Sequence, residues 1–124
     1  MRTEVVLDAS AALAFLFDEP GAEPVRACLP HARMNAVNLT EVVARLSLIG
    51  RDPVRAHDLG CRIVDHDARL ADLAGRLAPR TAPLGLSLGD RACLALALRD
   101  GLPVLTADRV WARLDLGLDI RLVR

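Results

Sequence analysis

A chain of 124 residues, 52% of them hydrophobic and with a formal net charge of zero, is long enough to bury one core without disulfide or metal staples. Its longest apolar runs, such as 11–17 and 92–98, fall far short of the roughly 20 residues a transmembrane helix needs, and its neutral balance excludes the long-range pull of a strongly basic protein on nucleic acid. The chain has no lysine, all 16 of its basic residues being arginine, which removes P-loop nucleotide hydrolysis, Schiff-base chemistry and lysine-dependent phosphoaspartate chemistry.

The opening MRTEVVLDAS carries no apolar export segment, so the cytoplasm is the expected compartment. TEVVLD reads as a strand ending at Asp8, with Ser10 as the N-cap of an apolar helix through Phe17. GAEPVRACL reads as a second short helix and RMNAV as a strand, after which Asn38 caps a helix that runs through Ile49 and closes at Gly50. Asp52 followed by Pro53 starts a short helix, and a brief strand covers 62–64. Asp67 opens ARLADLAGRLA, whose Leu70, Leu73 and Leu77 keep helical spacing until PRTAPLG breaks it. Ser87 caps a helix that runs to about Asp100 and stops at Gly101. LPVLT is a strand, 108–114 a turn or short helix, and DIRLV the last strand.

Strands separated by helices predict an α/β fold: a three-layer α/β/α sandwich on a mostly parallel central sheet, as a single domain over residues 1–124. Cys28, Cys61 and Cys93 are odd in number, far apart and without CxxC spacing, so they read as buried free thiols rather than a disulfide framework or zinc site.

In such a sheet the helices run antiparallel to the strands, so helix amino termini collect at the edge where the strands end, which is also where open α/β sheets bind ligands. Asp8, Glu41, Asp90 and Asp108 are all predicted at that edge. Taken singly, Glu41 and Asp90 also fit capping boxes with Asn38 and Ser87, and Asp8 and Asp108 fit strand-exit turns. Taken together, four acids on one edge of a neutral chain raise one another's pKa unless a cation neutralises them. With only carboxylates at these four positions, Mg²⁺ or Mn²⁺ suits the oxygen donors better than zinc. The chemistry that follows is metal-assisted hydrolysis of a phosphodiester.

These residues resemble a known family, the PIN domains, and among them the VapC-type ribonuclease toxins of VapBC toxin–antitoxin pairs. VVLDASAALAFLFDEPGAE resembles the family's opening strand, first acid and helix, NAVNLTEVVARL its second-acid segment, and LSLGDRACLALAL and LPVLTAD its third and fourth. The resemblance covers nearly the whole chain. It implies a PIN-like fold in which Asp8, Glu41, Asp90 and Asp108 bind Mg²⁺ or Mn²⁺ and cut RNA. Ser10 and Thr106 match small hydroxyl positions beside that site, although an N-cap and a strand end explain them equally well. The resemblance further implies a homodimer, a cognate antitoxin whose tail enters an apolar groove near the acids, and contact with DNA only through that antitoxin.

The chain has no tyrosine and only Phe15, Phe17 and Trp111 as large aromatic residues, so RNA recognition is expected to rest on phosphates and shape more than on base stacking. Arg91 and Arg109, each adjacent to a site acid, are the candidates for gripping the backbone, and an ordinary surface role fits them as well. Two other readings stay open. One is a noncatalytic PIN-like module that binds a protein partner, its acids serving only as caps. The other is an Mg²⁺-dependent phosphomonoesterase, for which LDAS supplies an aspartate but not the second one two residues on.

Overall fold

The computed structural model describes residues 4–124; Thr3, where the first strand is predicted to begin, lies outside them. Five strands, β1 (Val5–Leu7), β2 (Ala32–Asn35), β3 (Arg62–Val64), β4 (Val104–Thr106) and β5 (Ile120–Leu122), pair in the order β3-β2-β1-β4-β5. Every pairing is parallel, with Val6 opposite Arg33 on one side and Val104 on the other. Six helices connect or flank them: α1 (Ala9–Leu16), α2 (Ala22–Cys28), α3 (Ala36–Leu48), α4 (Ala68–Arg76), α5 (Ala78–Thr81) and α6 (Leu88–Asp100).

The alternation of β1 explains the three layers, because successive strand residues point to opposite faces. Val5 and Leu7 pack with Val25 of α2, Met34, and Val42 and Leu46 of α3, whereas Val6 packs with Leu70 of α4, Leu94 and Leu96 of α6, and the fully buried Trp111. The same split divides β4, with Leu105 on the first face and Val104 on the second. A strand buried on both faces carries no polar alternation, which is why VVL and VLT read as plain apolar runs. The predicted α/β sandwich with a parallel sheet is the fold observed.

Local signals placed most element ends. Asp67 caps α4, Asp52 caps a short 3-10 helix at Pro53–Ala56, Ser87 caps α6, and α6 ends at Gly101 in the left-handed region, φ 65°. Two caps differ from the predicted ones. Asp8, not Ser10, caps α1, its side chain accepting from the Ala11 amide, and Asn35, not Asn38, caps α3 by accepting from the Val37 amide. Both strands end sooner than their composition implies, and the first extended polar residue takes the cap. PRTAPLG is not a plain break: it folds as α5 and a 3-10 turn at Ala82–Leu84, closed by Gly85. All three cysteines are free, but only Cys93 is buried, Cys28 and Cys61 being partly exposed.

The chain runs β1, β2, β3 outward in one direction, then returns to place β4 on the other side of β1. The reversal of strand order opens a crevice beyond the carboxyl end of β1, the position where parallel α/β sheets hold their ligands. Asp8 is the residue that follows β1 there.

Candidate active site

Asp8 is buried, with 4% of its surface exposed. Its Oδ1 accepts from the Ala11 amide at 2.8 Å, Ser10 Oγ lies 2.8 Å from both carboxylate oxygens, and Thr106 Oγ1 donates to Oδ2 at 2.6 Å. The hydroxyls are themselves fixed by backbone donors, Ala107 N–H to Ser10 Oγ at 2.9 Å and Asp108 N–H to Thr106 Oγ1 at 3.1 Å. Two amides of the β4 exit thus polarise two hydroxyls toward one carboxylate. Burial nevertheless pushes the Asp8 pKa up to about 6, against the downward pull of the Thr106, Ala11 and Ser10 donors and with a further upward push from Asp90.

Glu41 stands on α3, one turn beyond Asn38. Because the helix begins at Asn35, this puts Glu41 in the second turn rather than the first, and the predicted Asn38–Glu41 capping box does not form. Instead Asn38, 1% exposed, sends Nδ2 to Glu41 Oε1 at 2.7 Å and to the Gly89 carbonyl of α6 at 2.9 Å. Burial raises the Glu41 pKa, the Asn38 bond lowers it, and the Asp90 charge raises it. The predicted box on α6 does form: Ser87 Oγ accepts from the Asp90 amide at 3.2 Å and Asp90 Oδ2 accepts from the Ser87 amide at 2.8 Å. Asp108 leaves β4 and caps the 3-10 helix Arg109–Arg113, its Oδ1 accepting from Val110 N–H at 3.1 Å.

All four acids, together with Ser10, line one open cleft of about 470 Å³, walled by Leu13 of α1 and by Ala44, Arg45 and Leu48 of α3. Thr106 reaches it through Asp8. The structure does not bring the two expected arginines there. Arg91 turns to a separate hollow beside His66 and Leu88, its guanidinium donating to the Leu86 carbonyl at 3.1 Å, and Arg109 is exposed outside the cleft. The basic residue that lines the cleft is Arg45. Its sequence signal is helical spacing: Arg45 and Leu48 follow Glu41 by four and seven residues, on the same face of α3. Adjacency in sequence pointed elsewhere because neighbours on a helix diverge by about 100°.

As the side chains stand, no three His, Cys, Asp or Glu among the described residues gather closely enough to hold a metal ion. The donor set still suits a hard divalent cation. It is all oxygen, and Glu41 Oε2, Asp90 Oδ1 and Asp108 Oδ2 accept no hydrogen bond among the described residues. Magnesium-type ions take one or two carboxylates and fill the remaining positions with water, so they do not require a closed protein cage.

An all-parallel α/β sandwich with an acid-lined cleft at the switch point of its sheet defines the class. Within it, the chain belongs to the PIN-domain family, whose model matches residues 5–116. No curated protein matches the sequence. Among solved structures, the chain is similar to a toxin–antitoxin complex from Klebsiella pneumoniae, with a TM-score of 0.75 at 15% identity over 98% of both chains. It is similar also to DNA-bound VapBC from Salmonella typhimurium, with a TM-score of 0.72 at 17% identity over 99% of this chain and 100% of that one. A third is the sarcin-ricin loop cleaving toxin VapC20 of Mycobacterium tuberculosis, with a TM-score of 0.72 at 17% identity over 89% of this chain and 95% of that one.

Proposed function

We propose that this PIN domain is a divalent-metal-dependent endoribonuclease, a VapC-type toxin restrained by a cognate antitoxin. The observation that carries the reading is the convergence of Asp8, Glu41, Asp90 and Asp108 on one cleft at the ligand edge of the sheet. The kinship of the fold with a toxin–antitoxin complex and with a sarcin-ricin loop cleaving toxin supports the biological role. Hydrolysis at phosphorus, with water as nucleophile and no covalent enzyme intermediate, suits a cleft lined by carboxylates and lacking a lysine or cysteine nucleophile. Mg²⁺ or Mn²⁺, when bound, supplies Lewis-acid activation of water and neutralises the acids.

The chain's own groups supply the rest. Ser10 and Thr106 hold Asp8 in one orientation in the wall of the cleft. Arg45, on the opposite wall, is placed to meet a non-bridging phosphate oxygen of the RNA and keep the acid-rich cleft from repelling it. Leu48, 85% exposed, extends that wall outward, and Leu13, Phe17, Glu19 and Arg124 continue it in a neighbouring hollow that shares Ser10 and Arg45. We assign this partly apolar rim to the antitoxin. We assign the protein to the cytoplasm and to a homodimer, with DNA reached through the antitoxin; no helix among the described residues is long and apolar enough to cross a membrane.

A specific observation favours the noncatalytic alternative. Asp8, Asp90 and Asp108 each make a complete helix-capping interaction, so all three have a structural use without any ion. Cleavage of end-labelled structured RNA by wild type and by Asp90→Asn, with Mg²⁺, Mn²⁺ or EDTA, separates the two. The substituted side chain keeps an oxygen for the Ser87 amide, so the fold survives. Metal-dependent cutting that both EDTA and the substitution abolish is the expected result. Equal behaviour of the two folded proteins makes Asp90 a cap and the protein a binding module.

A further inference from the structure

Two residues at the site break the rules of their own helices. Asn38 is buried in the first turn of α3 with its Oδ1 facing no hydrogen-bond partner. Gly89 occupies the second position of α6, where glycine loses more backbone entropy than any other residue. Neither departure serves its own helix. α3 already has its cap in Asn35, and α6 has its own in Ser87.

Both departures converge on Glu41. The Asn38 amide has two protons, and it gives one to Glu41 Oε1 at 2.7 Å and the other to the Gly89 carbonyl at 2.9 Å, leaving its own acceptor unsatisfied. A Cβ on residue 89 would overlap Glu41 Oε1 and lie 2.6 Å from Cδ and 2.8 Å from Oε2, so only glycine admits the carboxylate where it stands. Local sequence rules that fail together at one point mark a functional constraint. We infer that Asn38 and Gly89 are positioning residues that clamp the Glu41 carboxylate of α3 against the first turn of α6, beside Asp90. Glu41 would otherwise be a long, rotatable side chain pushed away from Asp90 by like charge. The clamp converts it into a fixed ligand group, with Oε2 left without a hydrogen-bond donor among the described residues.

The inference rests on the proposed metal-dependent reading, and Mn²⁺ affinity tests the two separately. Calorimetric titration of Mn²⁺ into wild type, Asn38→Ala, Gly89→Ala and Glu41→Ala, each shown folded by circular dichroism, is followed by the two double variants in the Glu41→Ala background. Asn38→Ala and Gly89→Ala are each expected to weaken Mn²⁺ binding by about tenfold or more, as loss of a group orienting a ligand does. In the Glu41→Ala background each is expected to shift the affinity by less than about twofold, because the carboxylate they act on is gone. Gly89→Ala gives the sharper result: alanine favours the helix, so a purely structural role leaves Mn²⁺ binding intact. Single variants that bind Mn²⁺ as wild type does, or losses that multiply with Glu41→Ala, overturn the clamp while leaving the metal site standing. Absence of Mn²⁺ binding in wild type overturns both.

Discussion

Asp8 and the pair Glu41 and Asp90 are held in the cleft by opposite means. On the β1 and β4 side, Asp8 is buried and saturated, with two hydroxyls and a backbone amide turned to its oxygens. On the α3 and α6 side, Glu41 and Asp90 are only partly buried, and each leaves one oxygen without a protein donor. The first is an anion held in the protein interior, the second a shallower pair, each member tied by one oxygen and open at the other. Under the proposed metal-dependent reading, the deep carboxylate would fix a location and the shallow ones would offer their open oxygens to the cation.

The deep half is expected to show the largest effects. Asp8→Asn should lower RNA cleavage by about 10²-fold or more, as loss of a preorganised electrostatic group does, while the folded state gains at neutral pH in the absence of metal. The sign follows from linkage. Asp8 has a folded pKa of about 6 against an ordinary 3.8, so between those values the native state binds more protons than the unfolded one, and stability falls as pH rises. The difference of roughly two units corresponds to a contribution on the order of 3 kcal/mol, present below pH 4 and lost by pH 7. Urea unfolding of wild type and Asp8→Asn in EDTA from pH 4.5 to 7 should give a falling curve for the first and a flatter one for the second. Parallel curves would show that Asp8 is not the buried charge described.

Thr106→Val sharpens the contrast at intermediate size. It preserves shape, removes the 2.6 Å donor to Asp8 and leaves a buried acceptor short of a partner, at a cost of about 1–3 kcal/mol. Because that donor lowers the Asp8 pKa, its loss raises it, and the acidic limb of the pH profile for kcat/KM should move to higher pH. An unmoved limb would detach Thr106 from the reacting carboxylate. Ser87→Ala, on the shallow side, carries the smallest effect: about 1 kcal/mol of stability, the usual value of an N-cap, with cleavage retained. If Ser87→Ala lost activity as Asp90→Asn is expected to, capping and chemistry at Asp90 would be one function and not two.

Legibility followed the range of the signal. The capping box of Ser87 and Asp90, the cap at Asp67, the stop at Gly101 and the apolar strands around Asp8 and before Asp108 are read from neighbours within a few residues, and all are present. The caps at Asp8 and Asn35 were displaced because two cap-competent residues stood within three positions of each other, and composition does not rank them. The four acids were found by combining strand exits with helix starts. Arg45 and the role of Asn38 were not, since both depend on which face of α3 turns toward α6.

The sequence by itself determined the alternation of strands and helices, the parallel sheet and the placing of four carboxylates along one edge, because periodicity, caps and the antiparallel run of helix against strand are local or topological properties. Only the tertiary structure decided which side chains share the cleft. It turned Arg91 away and Arg45 inward, buried Asp8 beneath two hydroxyls, and set Gly89 against Glu41 across two helices far apart in the chain. Those outcomes depend on the rotation and approach of packed helices, where a difference of one ångström or one residue of register changes every contact and leaves no mark in the local pattern.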